Sequence, residues 1–434
     1  MRVVRKIVFW LHLVIGLAVG SVVGLMAGTG VLMAFEHQIV DAVEKGDGAP
    51  PTPDAVQLSP EELLASARRI VPDVTPMALT VSADPAAPAS VQLGRERFMQ
   101  LNAYTGERTG AEATKLRGFF HTVLELHRWL TLSGDWRNVG KGITGAAALG
   151  FLVLICSGLW LWMPRVWKWS SIRPVLLLNW RAAGKLRDWN WHNALGFWAM
   201  IPLLVITMSG LVMSYPWANN LLFRAAGDVP PPPRQERARG QQQQRGATTR
   251  PQRAPNYEGL NDLWAAAEEY TPAWTSITLR LGGRRGNDNA EAADTEAAAE
   301  GGRAATRGAV TFVVGVGDTR NPQNRTTLTF DRRSGELTRT ETFATTSPGR
   351  RLRSLVLPLH RGELFGIAGQ AVAALASAVT LVLVYTGFAL SYRRLVRPVV
   401  RRIRGRSTPT HSPAAGAEDD GPLPDGVIAT SVAE

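Results

Sequence analysis

Two histidines stand at the start of apolar segments and are followed by glycines at the same intervals. His12 precedes Gly16 by four residues and a second glycine by eighteen, and His192 precedes Gly196 and a further glycine at the same spacings. An imidazole can bind a metal or carry a proton. A lone interfacial histidine can instead be a polar anchor or an interhelical hydrogen-bonding group. The repeated spacing favours a functional site, because ionisable residues inside membrane segments are usually functional.

Two more histidines share a second motif. His127 lies in LELHRWL and His360 in LPLHRGEL, so each is followed directly by an arginine, Arg128 or Arg361, and shortly afterwards by an apolar segment. Arginine binds carboxylates through paired hydrogen bonds. We therefore expect these arginines to bind acidic groups close to the two histidines.

Four apolar segments position these residues. Each reaches the roughly 20 mostly apolar residues that cross a bilayer, and they comprise residues 7–35, 139–163, 191–217 and 364–392. Lysine and arginine cluster before the first segment, between the second and third, and after the fourth, which predicts that both termini are cytoplasmic. The net charge of +12 then indicates contact with anionic lipid headgroups of the bilayer rather than with nucleic acid.

This topology sorts the histidines into an inner pair, His12 and His192, and an outer pair, His127 and His360. Zinc takes three or four protein ligands, whereas the chain has one cysteine and the sequence suggests no carboxylate deep in the segments. A proton relay would need such carboxylates. Haem iron needs only two axial nitrogens. We therefore predict two haem groups, of the b type because no Cys-x-x-Cys-His motif is present in the sequence.

The neighbours of the histidines suit this hypothesis. Gly16 and Gly196 would leave room for a porphyrin, although glycines at four-residue spacing also serve direct contact between helices. Arg128 and Arg361 would bind the propionates of the outer haem. Cys156, the single cysteine, is interpreted as a small packing residue.

The remaining histidines are weaker candidates. His37 follows His12 by 25 residues, which returns it close to the same helix face, and it is an alternative ligand for the outer haem. His121 precedes His127 by six residues and falls on a different helix face. His411 lies in the polar C-terminal tail.

The two outer connections repeat one order of elements. The first has a helical pattern, SPEELLASARRIVP, capped by Ser59, and then strand patterns MALTV and RFMQL. The second has a helical pattern, NDLWAAAEEYTP, followed by strand patterns SITLRL, AVTFVVGV and RTTLTF. NAYTGERTG and DRRSGELTR place similar turns in the two connections. We predict one small α+β module in each.

The membrane segments repeat as well. The first and third share the histidine–glycine spacing, and the second and fourth each reach a hydroxyl–glycine pair. We therefore predict a membrane α-helical fold, a four-helix transmembrane bundle built as a two-fold internal repeat with α+β modules in its outer loops. The predicted boundaries are membrane helices at 1–37, 121–164, 191–217 and 351–394, outer modules at 38–120 and 257–350, a cytoplasmic basic loop at 165–190, a largely disordered linker at 218–256, a disordered insertion at 282–308, and a disordered cytoplasmic tail at 395–434.

With these motifs in order, the chain resembles the PepSY-associated transmembrane family. The resemblance rests on the four segments with Leu-His motifs, the repeated Ser/Thr-Gly pairs, and the YTGE and RSGE turns of the outer modules. It implies a bacterial inner-membrane protein with periplasmic PepSY modules and a two-haem core. It also implies electron transfer to an external ferric siderophore during iron acquisition, with His12, His127, His192 and His360 as the haem ligands.

The donor and two other functions stay open. No nucleotide or flavin motif is evident in the sequence, so the predicted donor is a membrane quinol or another protein. The chain could instead be a membrane-anchored PepSY module that binds a peptide or peptidase partner without redox activity. A third alternative is a haem or metal transporter. The sequence does not indicate an oligomeric state.

Overall fold

The computed structural model describes residues 2–46, 48–52, 54–94, 97–164, 167–232, 257–281 and 309–406, with side chains up to residue 400. The predicted insertion at 282–308, His411, and most of the predicted linker and tail lie outside these ranges. The chain divides into two units, Met1–Leu390 and Ser391–Glu434. The features described below belong to the first unit, except for the end of the last helix.

Helices make up most of the described chain. In order they are α1 Arg2–Met33, α2 Glu36–Glu44, α3 Pro60–Ile70, α4 Ala111–Trp129, α5 Trp136–Trp162, α6 Trp169–Leu176, α7 Gly184–Ser214, α8 Pro216–Ala225, α9 Leu260–Tyr270, α10 Pro348–Arg361 and α11 Gly366–Arg406. Four stretches, formed by α1 with α2, α5, α7 and α11, are long and apolar enough to cross a membrane.

Two predicted membrane helices are each broken next to a histidine. The predicted helix 121–164 is α4 and α5, and the break begins at Leu130 and Thr131, whose φ angles are 57° and 55°. The predicted helix 351–394 is α10 and α11, broken at Gly362 and Gly366 with φ angles of 77° and 61°. Left-handed residues satisfy the last carbonyls of a helix and end it. Each break therefore turns the chain directly after a His-Arg pair.

The helices also extend into regions predicted to be disordered. Residues 218–225 of the predicted linker belong to α8, which begins with Pro216 at the first helical position, where its fixed φ is favourable. The predicted tail contains the end of α11, which continues to Arg406. At the other end of the chain, α1 stops at Met33, and α2 follows from Glu36 across the predicted boundary at residue 37.

The strands of both outer connections form one eight-stranded sheet. They are β1 Ala78–Ser82, β2 Ala89–Gln92, β3 Phe98–Leu101, β4 Arg108–Thr109, β5 Ser276–Arg280, β6 Ala309–Gly315, β7 Arg325–Asp331 and β8 Leu337–Thr342, in the spatial order β4-β3-β2-β1-β5-β6-β7-β8. The sheet is continuous because β1 pairs antiparallel with β5 over five residues. Strands from the two predicted modules are thus joined edge to edge.

One core lies under this sheet. It combines residues of α3 and α9 with inward-facing strand residues from both outer connections, including Leu79, Val91, Ile277 and Phe312, all fully buried. The start of α3 is capped by Ser59, as the sequence predicts, and Ser59 forms a reciprocal capping box with Glu62. The apolar alternation of the strands therefore serves a single shared core.

Glycines allow α1 to lie close to α11. A Cβ on Gly20 would come within 3.0 Å of Cζ of Phe388, and one on Gly24 within 3.5 Å of a methyl group of Val384. Small residues permit such close approach between membrane helices. Glycines at four-residue spacing are compatible with either helix contact or a cofactor, and the structure places Gly20 and Gly24 at a helix contact.

Candidate functional site

Two pairs of histidines form the candidate site, and the first pair lies at the end of the bundle away from the sheet. His12 of α1 and His192 of α7 have ring centroids 6.3 Å apart, with their planes at 86°. Nδ1 of His12 lies 2.8 Å from Oγ of Ser157, on α5. Nδ1 of His192 lies 3.0 Å from Oγ1 of Thr386, on α11. We call His12 and His192 the distal pair.

The second pair lies on helices that leave the sheet directly. His127 of α4 and His360 of α10 also have ring centroids 6.3 Å apart, with planes at 73°. Nδ1 of His127 lies 2.9 Å from Oγ1 of Thr29, on α1, and Nδ1 of His360 lies 3.1 Å from Oγ of Ser209, on α7. We call His127 and His360 the sheet-side pair. The structure thus brings together the same two pairs that the topology predicts.

The hydroxyl contacts fix the tautomer of the rings. Ser157 donates its single hydroxyl hydrogen to the carbonyl of Val153 at 2.6 Å, and Thr386 donates to the carbonyl of Val382 at 2.7 Å. Each oxygen must then accept from the histidine Nδ1–H. A neutral imidazole with hydrogen on Nδ1 keeps the lone pair on Nε2. Nε2 of each distal histidine is therefore the nitrogen that can ligate a metal.

The sheet-side pair follows the same pattern. Thr29 donates to the carbonyl of Leu25 at 2.9 Å, and Ser209 donates to that of Val205 at 2.7 Å. Nδ1 of His360 also lies 2.9 Å from the carbonyl oxygen of Ile206, which can only accept a hydrogen bond. Nδ1 of His360 therefore carries the hydrogen, and Nε2 is left as the metal-binding nitrogen.

The residue after each hydroxyl is a glycine that lies against the imidazole. A Cβ on Gly158 would be 3.5 Å from Cε1 of His12, and one on Gly387 would be 3.5 Å from Cε1 of His192. A Cβ on Gly210 would be 3.4 Å from Cε1 of His360. A hydrogen-bonding group that orients a metal-binding histidine is common in metal sites. The Ser/Thr-Gly pairs give each ring such a partner together with room to approach it.

The ring spacing suits one metal ion between two imidazoles. Metal–nitrogen bonds of about 2.0–2.1 Å, with roughly 1.1 Å more from each nitrogen to its ring centre, place two collinear ring centres about 6.3 Å apart. Both pairs have this separation. Two rings in direct edge-to-face contact lie at similar distances, so a metal site needs more than this separation. Its second requirement is a free lone pair on Nε2 of each ring, which the tautomers described above provide. Among the described residues, no group of three or more His, Cys, Asp or Glu side chains lies together as metal ligands.

The two pairs lie at different depths along the same helices. On α1, His12 and Thr29 are 17 residues apart, and Thr29 holds a histidine of the other pair. At 1.5 Å per residue, the two levels are separated by about 25 Å along that helix.

His37 lies in a charged group instead of a ring pair. Its Nε2 lies 2.9 Å from Nη1 of Arg361 and 3.5 Å from Oε1 of Glu363. Arg361 is also 3.7 Å from Oε2 of Glu36. His37 therefore contacts Arg361, the residue after His360. The carboxylates of Glu36 and Glu363 lie within 4 Å of the same guanidinium.

The other predicted residues have ordinary surroundings. A Cβ on Gly16 would meet Leu154 at 3.8 Å, and one on Gly196 would meet Leu383 at 3.7 Å. Arg128 is exposed, with its guanidinium 5.0 Å from the ring centre of Trp129. His121 lies on α4 and Cys156 on α5, where Cys156 is exposed. None of these positions tests the predicted cofactor contacts.

One buried acid lies just outside the predicted apolar segment 191–217. Asp188, on α7 one turn before His192, is fully buried, and its Oδ1 accepts from Nη2 of Arg187 at 3.0 Å. Burial of the carboxylate within the helix bundle could not be inferred from sequence.

Comparison with protein families agrees with this architecture. A family model described as the PepSY-associated TM region matches residues 9–394. Because the match covers most of the chain, the protein belongs to this family, and the resemblance predicted from its motifs is confirmed. It is a membrane protein with several candidate transmembrane helices. No curated protein matches the chain.

Proposed function

We propose that this chain is a membrane electron-transfer protein with two haem b groups, one between the rings of each histidine pair. The observation that carries the proposal is the repeated geometry of two imidazoles 6.3 Å apart, each with Nδ1 on a Ser or Thr hydroxyl. When bound, haem supplies a one-electron couple whose potential depends on its axial ligands and surroundings. The protein's own residues supply the ligands, their orientation and a water-poor location.

The histidines would be the iron ligands, and the Ser and Thr hydroxyls would orient them. Nε2 of each histidine would ligate the iron, while Ser157, Thr386, Thr29 and Ser209 hold the rings and keep the hydrogen on Nδ1. Such outer contacts raise the basicity of the ligand and fix its orientation. Arg128 and Arg361 lie beside the sheet-side ligands, where each guanidinium could bind a propionate.

We place the sheet in the periplasm and both termini in the cytoplasm of a bacterial inner membrane. The support is the distribution of lysine and arginine between the segments. Electrons would then enter near the distal pair and leave near the sheet-side pair. The proposed acceptor is an external ferric complex, such as a ferric siderophore, because siderophores hold Fe(III) through hard oxygen donors and hold Fe(II) less well.

The proposed donor is a membrane quinol or a protein. A hydroquinone that becomes a quinone gives up two protons and two electrons, so one molecule would reduce two ferric complexes to ferrous ones. The matching hydroxyl–histidine contacts in the two halves also support a two-fold internal repeat: His12–Ser157 corresponds to His192–Thr386, and His127–Thr29 to His360–Ser209.

Proteoliposomes would test the proposal. They would contain quinol, with a ferric chelate and a ferrous-specific dye outside. We expect the wild type to develop dye colour outside, and the His192→Ala and His360→Ala variants to develop none. Equal colour in wild type and His192→Ala would place the distal pair off the path. Protein purified without haem would favour a membrane-anchored binding module, and haem or metal transport without net reduction would favour a transporter.

A further inference from the structure

We propose that a basic cleft beside α3 binds carboxylates of the acidic stretch 287–300 of the same chain. The cleft has a volume of about 310 Å³ and lies between α3 and the residues that lead into α9. It is lined by Ala65, Arg68, Arg69, Pro72 and Tyr257. The acidic stretch belongs to the insertion between β5 and β6, which lies outside the described residues.

Two guanidinium groups make the cleft positive. Arg68 is partly buried, and Arg69 is exposed and donates from Nη2 to Oγ of Ser66 at 2.8 Å. Neither arginine forms an ion pair with a carboxylate in the described part of the chain. Both lie in the last turn of α3, where cations also interact favourably with the helix dipole. The charge alone therefore does not require a ligand.

A buried phenol is the second observation. Oη of Tyr257 is buried and has no hydrogen-bond partner among the described residues. Burial raises the pKa of this phenol above its ordinary value of 10.0, while the nearby charge of Arg68 opposes the increase. The hydroxyl is therefore protonated at neutral pH and can donate a hydrogen bond. A buried donor without a partner costs free energy, which an acceptor oxygen bound at the cleft would recover.

The start of the insertion lies beside the α3 side of the cleft. Leu281 is the last described residue before the insertion, and its N–H donates to the carbonyl of Met77 at 2.8 Å. Met77 follows Pro72, a lining residue, by five positions, which span at most about 17 Å. Asp288 follows Leu281 by seven positions, which reach up to about 24 Å. The first acid of the stretch can therefore reach the cleft.

The end of the insertion lies beside the opposite side of the cleft. Ala309, the first described residue after the insertion, is the register partner of Asp331. The next residue, Arg332, donates from Nη2 to the carbonyl of Glu258 at 3.0 Å. Glu258 directly follows Tyr257, so both ends of the insertion are held close to lining residues.

Charge selects this segment as the occupant. The stretch 287–300 carries five acids and no lysine or arginine; the acids are Asp288, Glu291, Asp294, Glu296 and Glu300. Residues 233–256, which end directly before Tyr257, carry six arginines and one acid. Arginine binds carboxylates through paired, charge-assisted hydrogen bonds. The cleft therefore attracts the acidic stretch and repels the basic one.

Tethering favours this occupant over an acidic peptide from another protein. A segment linked to its site by a short chain has an effective concentration of roughly millimolar. A free peptide with the same carboxylates would have to reach a comparable concentration before it displaced the acidic stretch. We therefore commit to the segment of this chain.

Crosslinking of the full-length protein in detergent would test the contact. In a Cys156→Ser background, Ala65→Cys, at an exposed residue of the cleft, is combined with Ala292→Cys in the acidic stretch. The matched control combines Ala65→Cys with Ala247→Cys in the basic segment, ten residues before Tyr257. The rate of crosslinking by a short bis-maleimide is measured for each pair.

We expect the pair with Ala292→Cys to crosslink about tenfold faster than the control pair. Addition of Arg68→Gln and Arg69→Gln should remove this difference, because two charge interactions at partly exposed sites are lost. Salt at about 1 M should also reduce it, since the Debye length is then about 3 Å. Equal rates for the two pairs, or a rate that the arginine substitutions leave unchanged, would overturn the proposal.

A second experiment leaves the cleft intact and removes its occupant. The variant changes all five acids of the stretch to amides: Asp288→Asn, Glu291→Gln, Asp294→Asn, Glu296→Gln and Glu300→Gln. A fluorescent peptide with the sequence of residues 287–300 is titrated into this variant and into the wild type, and its anisotropy is measured. We expect the peptide to bind the variant at least about tenfold more tightly, because the tethered competitor is lost.

The other results of this titration would contradict the proposal. Equal binding to both proteins would show that the cleft is open to carboxylates from elsewhere, and binding to neither would show that it does not take carboxylates. A peptide in which the five acids are amides is the control for charge. None of these measurements depends on haem or electron transfer, so the proposed function is tested separately.

Discussion

The hydroxyls of Thr80 and Thr278 hydrogen-bond to each other at 2.9 Å, at the centre of the antiparallel pairing between β1 and β5. These residues are nearly 200 positions apart and come from different outer connections. Their contact marks the place where two groups of four strands become one sheet. The outer part of the protein should therefore unfold as one unit.

Truncation of Leu279 tests whether the eight-stranded sheet unfolds as one unit. Leu279 is fully buried and is the register partner of the equally buried Leu79. We expect Leu279→Ala to destabilise the sheet by about 2–5 kcal/mol, and to increase amide hydrogen exchange in β1–β3 as well as in β5–β8. Phe98→Ala, at a half-exposed residue of β3, is the control. Faster exchange confined to β5–β8 would show that the two groups unfold separately.

Removal of either member of a histidine pair should abolish the same redox component. We expect His12→Ala and His192→Ala to lose one haem signal, and His127→Ala and His360→Ala to lose the other, because each iron needs both axial ligands. Redox titration of the purified variants would measure this. His37→Ala should keep both signals, since His37 contacts Arg361. Loss of a signal in His37→Ala would mean that His37 is a ligand.

The hydroxyl contacts should control how tightly the rings hold the iron. Thr386→Val keeps the shape of the side chain but removes the group that accepts from Nδ1 of His192. We expect roughly 10- to 100-fold weaker haem retention at the distal level, with retention restored in Thr386→Ser. Thr380→Val is the matched control, because Thr380 is equally buried on α11 and donates to Ala376 of the same helix. A similar loss in both valine variants would indicate a packing effect.

A carboxylate stabilises the start of the helix that carries His360. Asp228 accepts hydrogen bonds from the hydroxyl of Ser347 and, at 3.1 Å, from the N–H of Gly349. The bond from Ser347 is the main cause that lowers the pKa of Asp228 below its ordinary value of 3.8. A lowered pKa means that the stabilisation is present above pH 3.8 and is lost as pH falls through the lowered value.

We therefore expect Asp228→Asn to lower the stability of the protein by about 1 kcal/mol at neutral pH, as loss of a helix cap does. The difference from wild type should shrink as the pH falls below 3.8. Thermal unfolding in detergent across this pH range would measure it, with the exposed Asp262→Asn as control. A difference that does not depend on pH would contradict the assigned role of the carboxylate.

Much of this architecture could be predicted from residue types and spacing. The depth of each histidine follows from the length of the apolar segments, so His12 could be paired with His192 before any contact was known. The N-cap Ser59 and the longer strands are local patterns, and they could be predicted directly from the sequence. The family was predicted from the order of the repeated motifs and is confirmed.

Other features depend on contacts between distant parts of the chain. The Ser/Thr-Gly pairs were recognised as a repeated motif, but the ring held by each hydroxyl is on another helix, as with Thr29 and His127. The pairing of β1 with β5 crosses between the outer connections and has no local signal. The same holds for Arg361, whose partners Glu36 and His37 lie more than 300 residues earlier in the sequence.

The haem content of the purified, full-length protein tests the central claim most directly. The protein would be expressed in cells supplied with haem, purified in mild detergent, and analysed by pyridine haemochrome and protein quantification. The geometry of the two histidine pairs predicts two b-type haem groups per chain, and one fewer in His192→Ala. Protein that is folded and purified from such cells without haem would contradict the account.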